Sequence, residues 1–286
     1  MKPFGRVAYF AAGVIVSAAL LFAPVSGSRV WAGSSGMEPD LESLVEALRL
    51  MEVMEILGRE GLEHGQELDK ALLGGNAGTY FTQQVEAIFD AEAMTGRFKA
   101  TMAEHMSAQA VDQSVAFFAS DLGRRIIGLE ISARVAFGED DVQDMAVEVL
   151  DKLPHDDARR RLVAEYVAAN DLVARNVKGT QSSEYNMYRG LVDGGYLAGD
   201  DGSYLAGMMA DREALMHDTE EWAMSFHLMA YQPLSEDDQR ANIAFSRSES
   251  GQLFNTAMFK AFDGMYDDIF YRLGRLVARF EDAADL

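Results

Sequence analysis

The sequence predicts an all-α protein of two related helical units behind an N-terminal signal segment. Three observations carry that prediction. Apolar residues recur at three- and four-residue spacing through most of the chain, and no stretch alternates cleanly for long. Only 5 prolines occur in 286 residues, and Pro3 and Pro24 stand at the very start. One stretch of the chain also recurs, without a gap, 128 positions further on.

The N-terminus reads as an address. Lys2 and Arg6 give a positive start, residues 7–22 follow without a charge, and Pro24 ends the run. Small residues then offer two processing points, after Gly27 and after Ala32. This is the layout of a secretory signal peptide, over residues 1–32. The rival reading is an uncleaved anchor, because residues 7–28 are uncharged and long enough to span a membrane. Export to the periplasm or beyond a bacterial cell is the expectation, with no stable membrane insertion after processing. The absence of cysteine fits, since a thiol-free chain cannot misoxidise outside the cytoplasm.

The first unit is expected over residues 37–150 and the second over residues 151–286. The first opens with Leu41, Leu44, Val45, Leu48, Met51 and Ile56 on one helical face, with Glu42, Glu46, Glu52 and Glu55 outside it. Residues 73–79, LGGNAGT, read as a loop. The repeated stretch begins at Ser107 and again at Ser235. Its identities are Ser107/Ser235, Ala116/Ala244, Phe117/Phe245, Ser120/Ser248 and Gly123/Gly251. Chance would supply roughly one.

Each element of that stretch has a physical reading. Ser107 and Ser235 are N-caps, and Asp238 three residues after Ser235 makes a relative of the capping box. Phe117 and Phe245 anchor the helix to the core. Ser120 and Ser248, each followed by an acid, stop one helix and start another. Gly123 and Gly251 then sit inside the new helix, where glycine costs about 1 kcal/mol against alanine. Its use there twice implies a backbone approach that a side chain would block.

Residues 137–144, FGEDDVQD, read as a non-helical acidic boundary. The second unit opens at Asp156 and Asp157 after Pro154, in a helical run with Gly179 as its C-cap. Residues 190–207, with Tyr-Leu-Ala-Gly twice around Asp200, Asp201 and Gly202, are expected to be the least helical part. The last helix is long, with Phe254, Met258, Ala261, Phe262, Met265, Ile269, Leu273, Leu276 and Phe280 on one face. Arg272, Arg275 and Arg279 near its end are read as partners of the helix dipole, and Asp268 as an i,i+4 partner of Arg272.

The pattern Phe-x-x-Ser-x-x-Gly after a capped helix resembles the bacterial domain-of-unknown-function family numbered 2059, here in two copies. The copies run from Phe117 to Arg124 and from Phe245 to Gln252. Both lack the proline that follows the serine in the family pattern, and the second has Ser246 in place of an aromatic residue. The resemblance implies a small exported helical domain. It implies no activity, so Phe117, Ser120, Gly123, Phe245, Ser248 and Gly251 carry over as structural positions only.

Chemistry is harder to find. Forty-six acids against 25 bases give a net charge of −21, which argues against nucleic acid as a partner. Without cysteine there is no thiol nucleophile and no thiolate metal site. None of His64, His105, His155, His217 and His227 lies in a catalytic signature. Glu60, Glu63, His64 and Glu67 crowd together, as do His217, Glu220 and Glu221, but neither has the order of a di-iron bundle. Asp200, Asp201 and Gly202 lack the alternating ligands of a calcium loop. The 16 methionines are the compositional oddity. Core filler, an adaptable groove and a copper(I) site are the three readings of them.

The expected function is therefore a non-enzymatic interaction or binding module of the bacterial envelope, with no cofactor. Its partner would be a protein, a peptide or an apolar small molecule, held in a helical groove with Met208, Met209, Met216 and Trp222 as candidate lining. The alternative is an enzyme or metal-binding protein whose site gathers scattered histidines and carboxylates at the seam between the units.

Overall fold

The computed structural model describes residues 40–199 and 201–284. The expected signal segment lies outside the described residues. Among those described the regular structure is entirely α-helical, with no strand. In chain order the helices are α1 (Leu41–Ala47), α2 (Leu50–Leu72), α3 (Gly78–Ile88), α4 (Ala91–His105), α5 (Ala108–Phe118) and α6 (Asp121–Ala136). There follow α7 (Asp140–Lys152), α8 (Ala158–Ala169), α9 (Leu172–Asp193), α10 (Asp201–Ala210), α11 (Arg212–Ala230), α12 (Glu236–Ser246) and α13 (Glu249–Ala284).

Caps written into the sequence start many of them. Asp40 accepts from the backbone N–H of Ser43 at 3.0 Å, and Asp90 from that of Ala93 at 2.8 Å. Ser107 and Ser120 accept from Ala110 and Gly123 at 3.2 and 3.0 Å. Ser235 and Asp238 form a reciprocal capping box. Between α2 and α3, Gly74, Gly75 and Gly78 take φ of +70°, +77° and +72°, a region that favours glycine.

Four local expectations need correction. The opening apolar face is not one helix: Arg49 takes φ 50°, and the break lets Leu48 and Leu50 on either side of it both be buried. Gly179 is no C-cap. It lies within α9, where a Cβ would stand 2.8 Å from Asp263 Oδ1, so its bareness admits that carboxylate. The helix break in this run falls earlier, at Asp171 with φ 53°. Of the acidic stretch 137–144, only residues 137–139 leave helical structure; Asp140 and Asp141 already form the first turn of α7 and meet the positive end of the dipole. Of the described residues in 190–207, those from Gly194 to Gly199 leave helical structure; the second Tyr-Leu-Ala-Gly lies inside α10.

The long α13 is the spine. It packs on α9 and α12, and also on α2, α3, α4 and α5. Its contact with α9 is backbone on backbone. A Cβ on Gly190 would meet the Tyr271 carbonyl oxygen at 2.2 Å, and one on Gly274 would meet that of Met187 at 2.4 Å. Phe254, Phe270, Leu273 and Val277 on the same helix are fully buried. The buried apolar residues form one continuous core rather than one per unit.

The helices α1–α6 and α8–α13 follow one another in the same order. In each set a short helix ends at a left-handed residue, Arg49 or Asp171, and a long one follows. α5 and α12 each span 11 residues, and their bounds differ by the same offset as the sequence repeat. Contacts correspond too: α1 with α5 and α8 with α12, α2 with α4 and α9 with α11. The equivalent Phe117 and Phe245 stack on each other, centroids 5.2 Å apart and planes within 18°.

Candidate functional site

The six motif positions build two corners. Ser120 and Ser248 begin α6 and α13, each accepting from the N–H three residues on at 3.0 Å. That turn presses the new helix onto the last carbonyls of the old one. A Cβ on Gly123 would lie 2.2 Å from the Phe117 oxygen, and one on Gly251 2.0 Å from the Phe245 oxygen. Phe117, Phe118, Phe245 and Phe254 fill the space behind. These positions hold shape, with Ser120 and Ser248 half-buried at the corners.

The four methionine and tryptophan candidates are divided. Met208 and Met209 lie on α10, Met209 well exposed, and Met216 is half-open on α11. Trp222 is in the core, stacked on Phe226 at 4.9 Å and edge-on to Phe137 at 6.1 Å. Six residues of a 3.6-residue helix separate Met216 from Trp222, so they face different ways.

The histidines do not converge. His64 is buried in α2 against Phe270 at 5.8 Å, and burial holds its imidazole down at about 4. Glu67, 3.9 Å away, is exposed and does little to offset that. Glu60 is engaged elsewhere, in a two-pronged bond with Arg134 of α6. His217 is exposed beside Asp218. Among the described residues no three histidines, aspartates or glutamates gather as metal ligands would.

One polar cluster does form at the seam. The Tyr231 hydroxyl, at the end of α11, donates to Glu130 of α6. Tyr166 of α8 packs edge-on to Tyr231 at 5.4 Å, and His227 lies 5.0 Å from Tyr166. His227 Nδ1–H donates to the Ala223 carbonyl at 2.6 Å, and burial holds this imidazole down at about 4 also. All four residues are below 5% exposed. The cluster is closed to solvent and joins the halves.

An open site lies elsewhere. Between α3 and α13 runs a groove of about 480 Å³. Ile88 and Leu276, both nearly buried, give it an apolar floor, with Ala87 and Gln84 on the α3 side. Arg272, Arg275, Arg279 and Tyr271 line the α13 side. The Tyr271 hydroxyl donates to Asp193 at 2.9 Å, and the Arg189 guanidinium lies over its ring at 5.8 Å. Arg275 donates to the Asp193 carbonyl. Arg272 shares Asp268 with Arg97. Arg279 is exposed and has no ion pair among the described residues.

This corrects the dipole reading of those arginines. The last turn of α13 carries no base, and a dipole effect fades beyond that turn. The i,i+4 bond of Arg272 to Asp268, at 3.4 Å, is present. The spacing of Arg272, Arg275 and Arg279 about Leu276 was the available signal for a shared face. Nothing in the sequence pointed to α3 as the opposite wall. No family model matches the chain, and neither a curated protein nor a solved structure does.

Proposed function

We propose that this is an exported, non-catalytic binding module whose ligand occupies the groove between α3 and α13. One observation carries the reading. A groove with an apolar floor and a basic wall is open to solvent, whereas the histidine-bearing seam is closed. Its volume falls within the range of small-molecule sites. The chain's own layout, a positive start and an uncharged run followed by small residues, supports export.

A tandem duplication is part of the proposal. It is supported by the shared offset, the matching helix order and the self-stacking of Phe117 on Phe245. The resemblance to the family numbered 2059 in both copies points the same way. Under this reading the groove arises because α13 outgrows its counterpart α6, 36 residues against 16.

The test is recovery of the full chain from the envelope fraction of an expressing bacterium, followed by native mass spectrometry. A bound small molecule is expected. Ala87→Trp, which fills the exposed side of the groove, should abolish its recovery while leaving the helical spectrum unchanged. Retention of the same molecule by that variant would place binding elsewhere, and turnover of a substrate by the same fraction would favour an enzyme.

A further inference from the structure

We infer that the groove selects an amphiphilic anion: one carboxylate or phosphate head on an apolar chain. The inference rests on the groove being the binding site and adds the class of ligand. Two features of its lining set that class.

The first is charge, which runs against the rest of the molecule. The chain carries −21 overall, yet Arg97, Arg189, Arg272, Arg275 and Arg279 collect around this part of α13. The carboxylates bonded there are Asp193, through Tyr271, and Asp268. Arginine presents a planar fork of N–H donors that matches the oxygens of a carboxylate or phosphate. Arg275 is held in place by the Asp193 carbonyl, and Arg279 stays exposed for a ligand. The second feature is the floor of Ile88 and Leu276, which offers an alkyl chain a way out of water.

Size and charge together favour a small ligand over an acidic protein. A protein partner covers about 800 Å² on each side. Such a footprint would extend well beyond these arginines over a chain whose net charge is −21. A single head group feels the arginines at contact distance, and the far charges only through screening solvent.

The experiment is calorimetric titration of the full chain with four probes below their aggregation limits: decyl phosphate, decanoate, decanol and inorganic phosphate. Decyl phosphate or decanoate should bind at least about tenfold more tightly than decanol and inorganic phosphate. Whichever of the two binds better identifies the head group. Arg279→Gln and Arg272→Gln should each weaken that probe by about tenfold and leave decanol unchanged. Equal binding of decanol, unmoved by the arginine substitutions, would overturn the anionic class while the groove stands. No binding of any probe, together with Ala87→Trp retaining the recovered material, would overturn both.

Discussion

Glycine does different work at different places in this chain, and the difference can be measured. At Gly123 and Gly251 an added methyl would meet a carbonyl oxygen at 2.2 and 2.0 Å, so the corner backbone would have to open. Gly123→Ala and Gly251→Ala should each destabilise by about 2–3 kcal/mol in urea unfolding. Gly264 sits on an exposed part of α13 with nothing within 4 Å. Gly264→Ala should stabilise by roughly 0.5–1 kcal/mol. The corners were legible because serine, acid and glycine recur at fixed spacing and each has a local reason. Gly179 misled for the same reason: a glycine near an expected helix end reads as a cap, and only the packed α13 shows that it makes room for Asp263. The buried histidines were not legible, because burial is a property of the neighbours. Burial holds His64 and His227 at about 4, below the 6.5 of an open chain. Stability from their neutral form is full above pH 6.5 and is lost as pH falls towards 4, by on the order of 3 kcal/mol each. Unfolding free energies measured across that window should fall with acid, and a His64→Leu, His227→Phe variant should show a shallower fall.

Helices in this molecule are held by unequal means, and α10 is held most lightly. It lies on α9 through the stack of Tyr204 on Tyr188, centroids 4.0 Å apart, and through Gln181 donating to the Met208 carbonyl. Beneath it Glu184 is pushed up to about 7 by burial, with the Asp211 carboxylate adding to the shift. A raised carboxylate stabilises while protonated, so this contribution is present below pH 4.5 and is lost as pH rises through 7. Amide exchange in α10, corrected for intrinsic rates, should quicken as pH rises from about 4.5 to 7 and level off above that. Glu184→Gln should remove that dependence, and an unchanged profile in the variant would contradict the assignment. The sequence made residues 190–207 look non-helical because Gly and Asp dominate there. The structure shows helix up to Asp193 and again from Asp201, where packing against α9 and α11 holds α10. The acidic stretch at residues 137–144 holds both a boundary, at residues 137–139, and a helix start, because charge that marks a boundary is also what a helix N-terminus favours.

At the scale of the molecule, two sets of helices, α1–α6 and α8–α13, share one interior. α13 comes from the second set and packs on α3, α4 and α5 of the first, while α6 of the first packs on α11 of the second. Halves that merely touched would melt separately; these should melt together. Scanning calorimetry should show one transition, and two resolved peaks would contradict the shared core. Ending the chain after Ser248 should unfold the first half as well, since Phe98 and Phe118 would lose Phe262 and Phe254. The all-α class was legible from periodicity. The interleaving was not, since spacing along a chain does not say which helix crosses which.

That arrangement bears on how the protein is made. Synthesis runs from the N-terminus, so the roughly 54 Å rod of α13 leaves the ribosome only after the twelve helices before it. Until it arrives, Phe81, Phe98 and Phe118 lack the partners that bury them. A nascent chain of this design stays open to chaperones, and to passage through a narrow channel, until α13 has been made.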